Sequence, residues 1–283
     1  MKKSAQTYAE YQDVLAIEDI SHILESIASI RIRQIKDQVI ASREFFQRLW
    51  RLYSQLRISQ KEEELLEAGV TKSTNTAVVL VTGNAGLSGE IDSQLVNTVL
   101  DQIISPDVDF FVIGLHGRRL LEAHGIQAKA SYPLPDVTKP IEINDVIEQI
   151  SHYQAPLVYY QSFASLSVQQ VIHFSLVETV RRISEQEQAN PDAEVITAED
   201  YLFEPNLEEL ARYLQNMMLN TTLLEVILES SLAQFASRFT AMNSASVRAK
   251  HISQELFRSY SRQKRYEKDE LSRRYKHRQR RSV

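Results

Sequence analysis

The stretch "VLVTGNAGLSGE", residues 79–90, holds the residue types best suited to chemistry in this chain. An apolar run ends at Thr82, and Gly83, Gly86 and Gly89 follow before an amphipathic segment. Glycines between a strand and a helix can bring backbone N–H groups close to a phosphate. Here they are spaced three and three, not G-x-G-x-x-G, and no Lys-Ser/Thr pair follows. Neither a dinucleotide fingerprint nor a P-loop is present. The residues themselves read as a tight turn, with Gly83, Gly86 and Gly89 as its structural positions.

The other chemical candidates are sparse. The seven histidines are His22, His116, His124, His152, His173, His251 and His277, and no two have the spacing of metal ligands. The chain has no Cys, which excludes disulfides and thiolate metal sites. No G-x-S-x-G elbow places a nucleophile. The expectation is no catalytic residue, no metal site and no cofactor.

Charge is unevenly distributed. From Arg258 to Val283 there are eleven Lys/Arg and three acids, a net of +8 in a chain whose total is −5, so the remainder carries −13. A solvated tail and a surface for an acidic partner or nucleic acid are both compatible with that run. Over the whole chain the balance argues against a nucleic-acid binder. No apolar run approaches the ~20 residues that span a bilayer. The acidic residues Glu10, Asp13, Glu18 and Asp19 argue against a secretory signal or transit peptide, which predicts a cytoplasmic location.

The elements that would position these residues follow from punctuation. All seven Gly lie between Gly69 and Gly125, and all seven Pro between Pro106 and Pro205. Gly and Pro break regular structure. Three parts result: an N-terminal helical arm (1–68), a central α/β domain (69–205) and a long C-terminal helix with a basic tail (206–283). Spacings of three and four support the arms. In the first they run Ile32, Ile35, Val39, Ser42, Phe46, Leu49, Tyr53, Leu56. In the last they run from Leu207 through Leu214, Thr221, Leu228, Ser231, Phe235, Arg238, Met242, Ala245, Ala249 and Ile252 to Leu256. This is a heptad seam and predicts an antiparallel coiled coil of the two arms.

The centre alternates strand and helix. "TAVVLVT" (76–82), "VDFFVIG" (108–114), "IQAKA" (126–130) and "APLVYYQSF" (155–163) read as strands. "IDSQLVNTVLDQII", "RRLLEAHG" and "IEINDVIEQIS" read as helices, with "VQQVIHF" (168–174) and "AEVITAEDYLF" (193–203) as further candidate strands. The order implies a Rossmann-like, doubly wound, mainly parallel sheet.

With these elements in place, the chain resembles the gamma subunit family of F-type ATP synthase, the central rotor shaft. Residues 201–246 resemble its Y-x-(F/Y)-E-P segment and the long helix that follows, with Glu229, Ser230, Ala236, Arg238, Ala241, Met242 and Ala245 in place. "VVLVTGNAGLSGEID" resembles the family's T-x-D-(R/K)-G-L-C-G turn, keeping Thr82, Gly86, Leu87 and Gly89. "FVIGLHGRRLLEAHG" and "LVYYQSFASLSVQQV" resemble two further family segments. The likeness covers about 20–271. It departs at "RQIKDQVIASREFFQRLWRLYSQL", where the family signature K-I-T-x-A-M is missing, at Asn84 and Ala85 in the turn, and at the basic end "SRRYKHRQRRSV".

The resemblance implies a non-catalytic rotor that couples ion flow through a membrane c-ring to ATP synthesis or hydrolysis in an alpha–beta hexamer. It implies alpha and beta subunits, an epsilon-type subunit and the c-ring as partners, at the cytoplasmic face of the cell membrane. It implies a hexamer-contacting shaft of Arg31, Arg33, Lys36, Arg238, Ala241, Met242 and Ala245, and a ring-facing foot of Tyr201, Leu202, Phe203, Glu204 and Pro205. The Ala- and Ser-rich "QFASRFTAMNSAS" would suit a slim shaft in a narrow hole, or close approach of two helices. A paralogue in a nonstandard ATPase machine, or a coiled-coil binding module with a basic tail, is the alternative.

Overall fold

The computed structural model describes residues 3–55, 73, 75–103, 107–137, 141, 143–153, 156–175 and 207–281. The elements in chain order are α1 (Lys3–Gln55), β1 (Thr76–Val81), α2 (Ile91–Gln102), β2 (Val108–Ile113), α3 (Leu115–Ala123), β3 (Ala130–Tyr132), α4 (Asn144–Ser151), β4 (Leu157–Phe163), β5 (Gln169–Ser175) and α5 (Leu207–Arg281). The chain divides into two compact units, Ser29–Ser237 and the pair Met1–Ala28 with Arg238–Val283. The candidate strand at 193–203 lies outside the described residues.

The larger unit is built on a five-stranded sheet in the order β3-β2-β1-β4-β5. β1 pairs in parallel with β2 and β4, and β2 with β3, while β5 joins β4 antiparallel. β1 is buried on both faces, which is why its sequence is a continuous Val/Leu run instead of an alternating one. One face carries Ala77, Val79, Val81, Phe111 and Ile113 against Val146, Ile147 and Ile150 of α4 and Leu223, Val226 and Ile227 of α5. The other carries Val78, Leu80, Phe110 and Val112 against Leu95, Val96 and Val99 of α2 and Leu121 of α3. The sheet is therefore doubly wound, and one of its covering helices is the C-terminal arm itself. A smaller cluster of Ile35, Val137, Leu228 and Leu232 joins α1 to α5.

Two sequence expectations shift. β3 occupies 130–132, not 126–130, because its pairing is set by Phe111–Ile113 of β2 and only three residues reach it. The ambiguous segment 168–174 is an edge strand, β5, closed on β4 by the turn around Ser165 and Val168.

In the smaller unit the two helices run antiparallel. Ser4 N–H and Oγ donate to Glu267 at 3.2 and 2.7 Å, Thr7 Oγ1 to Gln263 at 3.0 Å, and Ser253 Oγ to Glu18 at 3.4 Å. Tyr8 meets Tyr260 at 5.0 Å and Tyr11 meets Phe257 at 5.5 Å between ring centroids. Glu267 also satisfies a first-turn N–H that α1 could not pair internally. Ser4, Thr7, Ser21 and Ala28 are buried at heptad positions of α1. The seam thus reaches far beyond Ile32, carried by residues too polar for a hydrophobic pattern to find.

On α5 the expected seam holds at Met242 and Ala249, then slips: Ile252 is 47% exposed and Ser253 only 5%. From Met242 the inward positions fall at steps of three, four and four, an eleven-residue repeat inserted into a seven-residue one. Such a stutter unwinds the left-handed supercoil locally and moves the inward face by one residue.

Candidate functional site

In an open α/β sheet a ligand crevice forms at the carboxyl ends of the strands where strand order reverses. Here β2 and β3 lie on one side of β1 and β4 on the other, so that point falls beside Thr82 and Gly83. Thr82 is fully buried. Its Oγ1 lies 3.3 and 3.2 Å from the carbonyls of Ile113 and Gly114 and accepts from Gly117 N–H at 3.1 Å. A Cβ on Gly114, where φ is +116°, would come 2.1 Å from the Thr82 carbonyl, so only glycine fits.

Asp92, in the first turn of α2, is 1% exposed. Its carboxylate accepts the Gly83 N–H, with both oxygens at 3.2 Å, and its Oδ2 lies 2.8 Å from His116 Nδ1. His116 N–H donates to the Gly83 carbonyl at 2.8 Å. Asn84 bridges the same loop outward, accepting from Leu134 N–H at 2.7 Å and donating to the Leu134 carbonyl at 2.8 Å. Gln161 of β4 donates to the Ile91 carbonyl at 2.7 Å, tying β4 to the start of α2.

The crevice is filled from the other side by α5. Ser230 Oγ donates to the Val81 carbonyl at 3.4 Å, Gln234 Nε2 to Ser230 Oγ at 3.1 Å, and Ser237 Oγ to the Ser88 carbonyl at 2.6 Å. Gln234 is 5% exposed. Glu229 accepts from Ser162 Oγ and from Tyr160 OH, the latter at 3.2 Å. Where a dinucleotide would lie in a binding domain of this topology, this chain places helix side chains. The arrangement can hold the sheet to the helix; it presents no open donor array to a phosphate.

The turn glycines differ in duty. Gly83 is closed in, with Gln234 Oε1 3.0 Å and Asp92 Oδ2 3.1 Å from where a Cβ would sit. Gly89 has φ of +65°, and Gly86 has only His116 Nε2, at 3.8 Å, in contact range. Leu87, between them, holds φ of +66° and is 64% exposed.

The shaft residues are distributed along both helices. Arg33 and Lys36 are exposed, and Arg31 is half-buried, 3.9 Å from Asp136. Arg238, Ala241 and Ala245 are half-buried, while Met242 is 8% exposed. The foot residues Tyr201, Leu202, Phe203, Glu204 and Pro205 lie outside the described residues. Among the described residues no three His, Asp or Glu side chains group as metal ligands, and no helix is long and apolar enough to cross a membrane.

Sequence reasoning missed Asp92, His116, Gln161 and Gln234. Asp92 and His116 are twenty-four residues apart and meet only through the sheet. The one available signal was the acidic residue three places after Gly89. The E-S pair at 229–230 was noticed as a pattern; its physical role is the clamp on β4 and β1.

The model of the ATP synthase family matches residues 10–268. The chain belongs to the ATP synthase gamma family. It is thereby a central-stalk subunit of an F-type ATP synthase. It is 24% identical over 276 residues to the ATP synthase gamma chain of Chloroherpeton thalassium, covering 89% of this chain and 88% of that one. It is 21% identical over 264 residues to the sodium ion specific ATP synthase gamma chain of Acetobacterium woodii, covering 86% of each. Its fold is similar to a chain in the cryo-EM structure of the Euglena gracilis mitochondrial ATP synthase, OSCP/F1/c-ring, with a TM-score of 0.62, 14% identity, and 95% and 92% coverage of the two chains.

Proposed function

We propose that this gamma-family subunit is a non-catalytic shaft that turns inside a hexamer of alpha and beta subunits, with an epsilon-type subunit and a membrane c-ring as its other partners. Ion flow turns the ring, the α/β domain follows, and α1 with α5 carries the rotation to the nucleotide sites. The proposed location is the cytoplasmic face of the cell membrane, peripheral to it. The foot would be Tyr201, Leu202, Phe203, Glu204 and Pro205. The hexamer-contacting stretch would be Arg31, Arg33, Lys36, Arg238, Ala241, Met242 and Ala245, with the exposed Arg33 and Lys36 free to reach acidic loops.

The observation that supports this reading best is the filled crevice. Torque has to pass between the α/β domain and the helices without slip, and Ser230, Ser237 and Glu229 bond α5 to β1, the glycine turn and β4, with Gln234 holding Ser230 from within α5. A domain whose ligand crevice is occupied by its own helix is suited to transmit force, not to bind nucleotide. Calorimetry of the isolated chain with ATP and ADP is expected to give no binding tighter than millimolar and no turnover. Saturable micromolar binding would contradict the non-catalytic reading.

A further inference from the structure

Glu229 of α5 bonds to two residues of one strand. Its Oε2 accepts from Tyr160 OH at 3.2 Å and its Oε1 from Ser162 Oγ. Tyr160 and Ser162 stand two apart on β4, so both side chains leave the same face of the sheet, with Cα atoms about 7 Å apart. One carboxylate thus holds two points of the strand, one with each oxygen. Tyr160 is 8% exposed, and its ring meets Phe174 of β5 edge-on at 6.1 Å between centroids, which fixes the place of its hydroxyl.

Fold stability does not call for this group. Glu229 is half-buried, and both its partners are neutral hydroxyls. A carboxylate that exchanges water for neutral donors gains little by it or loses. Apolar contacts already seat α5 on the sheet, with Leu223, Val226 and Ile227 buried against Val79, Val81 and Val158. Apolar burial is non-directional, however. It resists lifting the helix from the sheet more than sliding or tilting the helix over it. A bond to a carboxylate is directional and roughly twice as strong as a neutral one.

The place of Glu229 on the helix gives that property a use. The larger compact unit ends at Ser237, and α5 runs on from Arg238 as part of the smaller one. Glu229 lies about two turns before that exit. A force on the part of α5 beyond Ser237 twists the stretch that the α/β domain holds. Ser230 and Ser237 hold the same stretch through the backbone carbonyls of Val81 and Ser88, with neutral bonds.

We propose that Glu229 is a torque pin, a positioning residue whose two bonds to β4 set how far α5 twists against the α/β domain under load. The proposal rests on the shaft reading above and adds to it the group that limits slip.

The test uses the assembled complex, with the alpha–beta ring fixed to a surface and a bead attached through Glu122→Cys on α3. Turning is stopped with a non-hydrolysable ATP analogue, and the angular spread of the bead about its resting position is recorded. Wild type, Glu229→Gln and the pair Tyr160→Phe/Ser162→Ala are compared, with thermal melts of each free chain. Glu229→Gln keeps the volume and removes the charge; the pair removes both donors. The expected result is a melting temperature of Glu229→Gln within a few degrees of wild type, and a mean-square angular spread raised on the order of twofold in both variants. Wild-type spread in both variants overturns the pin and leaves the shaft reading standing. A larger spread that appears only alongside lost thermal stability makes the bonds an element of the fold and also overturns the pin. A wild-type complex that ATP does not turn overturns the shaft reading and the pin with it.

Discussion

Gln234 of α5 closes over Gly83 of the turn after β1: a Cβ on Gly83 would meet its Oε1 at 3.0 Å. One residue from the shaft helix and one from the α/β domain are thus in contact at the point where a nucleotide would otherwise bind.

Gly83→Ala should therefore be costly but survivable. The neighbouring atoms are ends of the Gln234 and Asp92 side chains and can shift by a few tenths of an ångström. We expect a loss of about 1–2 kcal/mol in urea unfolding, partly recovered by adding Gln234→Ala. Gly114→Ala should be far worse, since its Cβ would meet backbone 2.1 Å away at positive φ. No folded protein, or a loss above ~3 kcal/mol, is expected there.

Asp109 gives a pH-dependent contribution. Its carboxylate accepts from Lys129 Nζ at 2.8 Å and from Tyr153 OH at 2.6 Å, and these bonds, the Lys129 one first, hold its pKa below 3.8. A lowered carboxyl pKa stabilises the fold above the unfolded value and loses that stabilisation as pH falls through the folded one. Asp109→Asn should cost up to ~1 kcal/mol at pH 7, given how exposed Lys129 is, and the difference from wild type should shrink below about pH 4. A cost independent of pH in thermal melts would contradict the ion-pair account.

Residues 272–283 carry six Lys/Arg and no acid. Deleting them should slow association with the alpha–beta ring several-fold at low salt and leave it unchanged near 1 M, where the screening length is about 3 Å. Turnover of the assembled complex should stay within a few-fold. Stopped-flow assembly across a salt series checks both halves.

The sequence made some of this legible for physical reasons. β1 is buried from Ala77 to Val81 and so is written there as an unbroken apolar run, and β2 and β4 carry shorter apolar stretches at 110–113 and 157–160. Lys3–Gln55 and Leu207–Arg281 lack Gly and Pro because each is one unbroken helix. β3 is three residues long and is fixed by its neighbour, which no local pattern records. The seam from Ser4 to Ala28 was hidden because its inward residues are polar, and Ile252 was misplaced because a four-residue step carried Ser253 inward instead. The Asp92–His116 pair and the Gln234 plug are tertiary contacts between segments with no shared periodicity. Spacing has no means of announcing them.

Crowding tests the shaft without disturbing its own packing. Ala241 and Ala245 are half-buried, so bulky residues there would also strain the helix pair, whereas Ser244 is exposed. Ser244→Trp should leave the melting temperature of the isolated chain within a few degrees and slow ATP turnover of the assembled complex at least tenfold. Normal turnover would place this stretch outside any narrow passage.

The central claim is rotation. The chain has no Cys, so Glu122→Cys, at an exposed site on α3, gives one attachment point. With the alpha–beta ring fixed to a surface and a bead on that cysteine, ATP should drive continuous turning in one direction. A bead that stays still while the same complexes hydrolyse ATP would contradict the account.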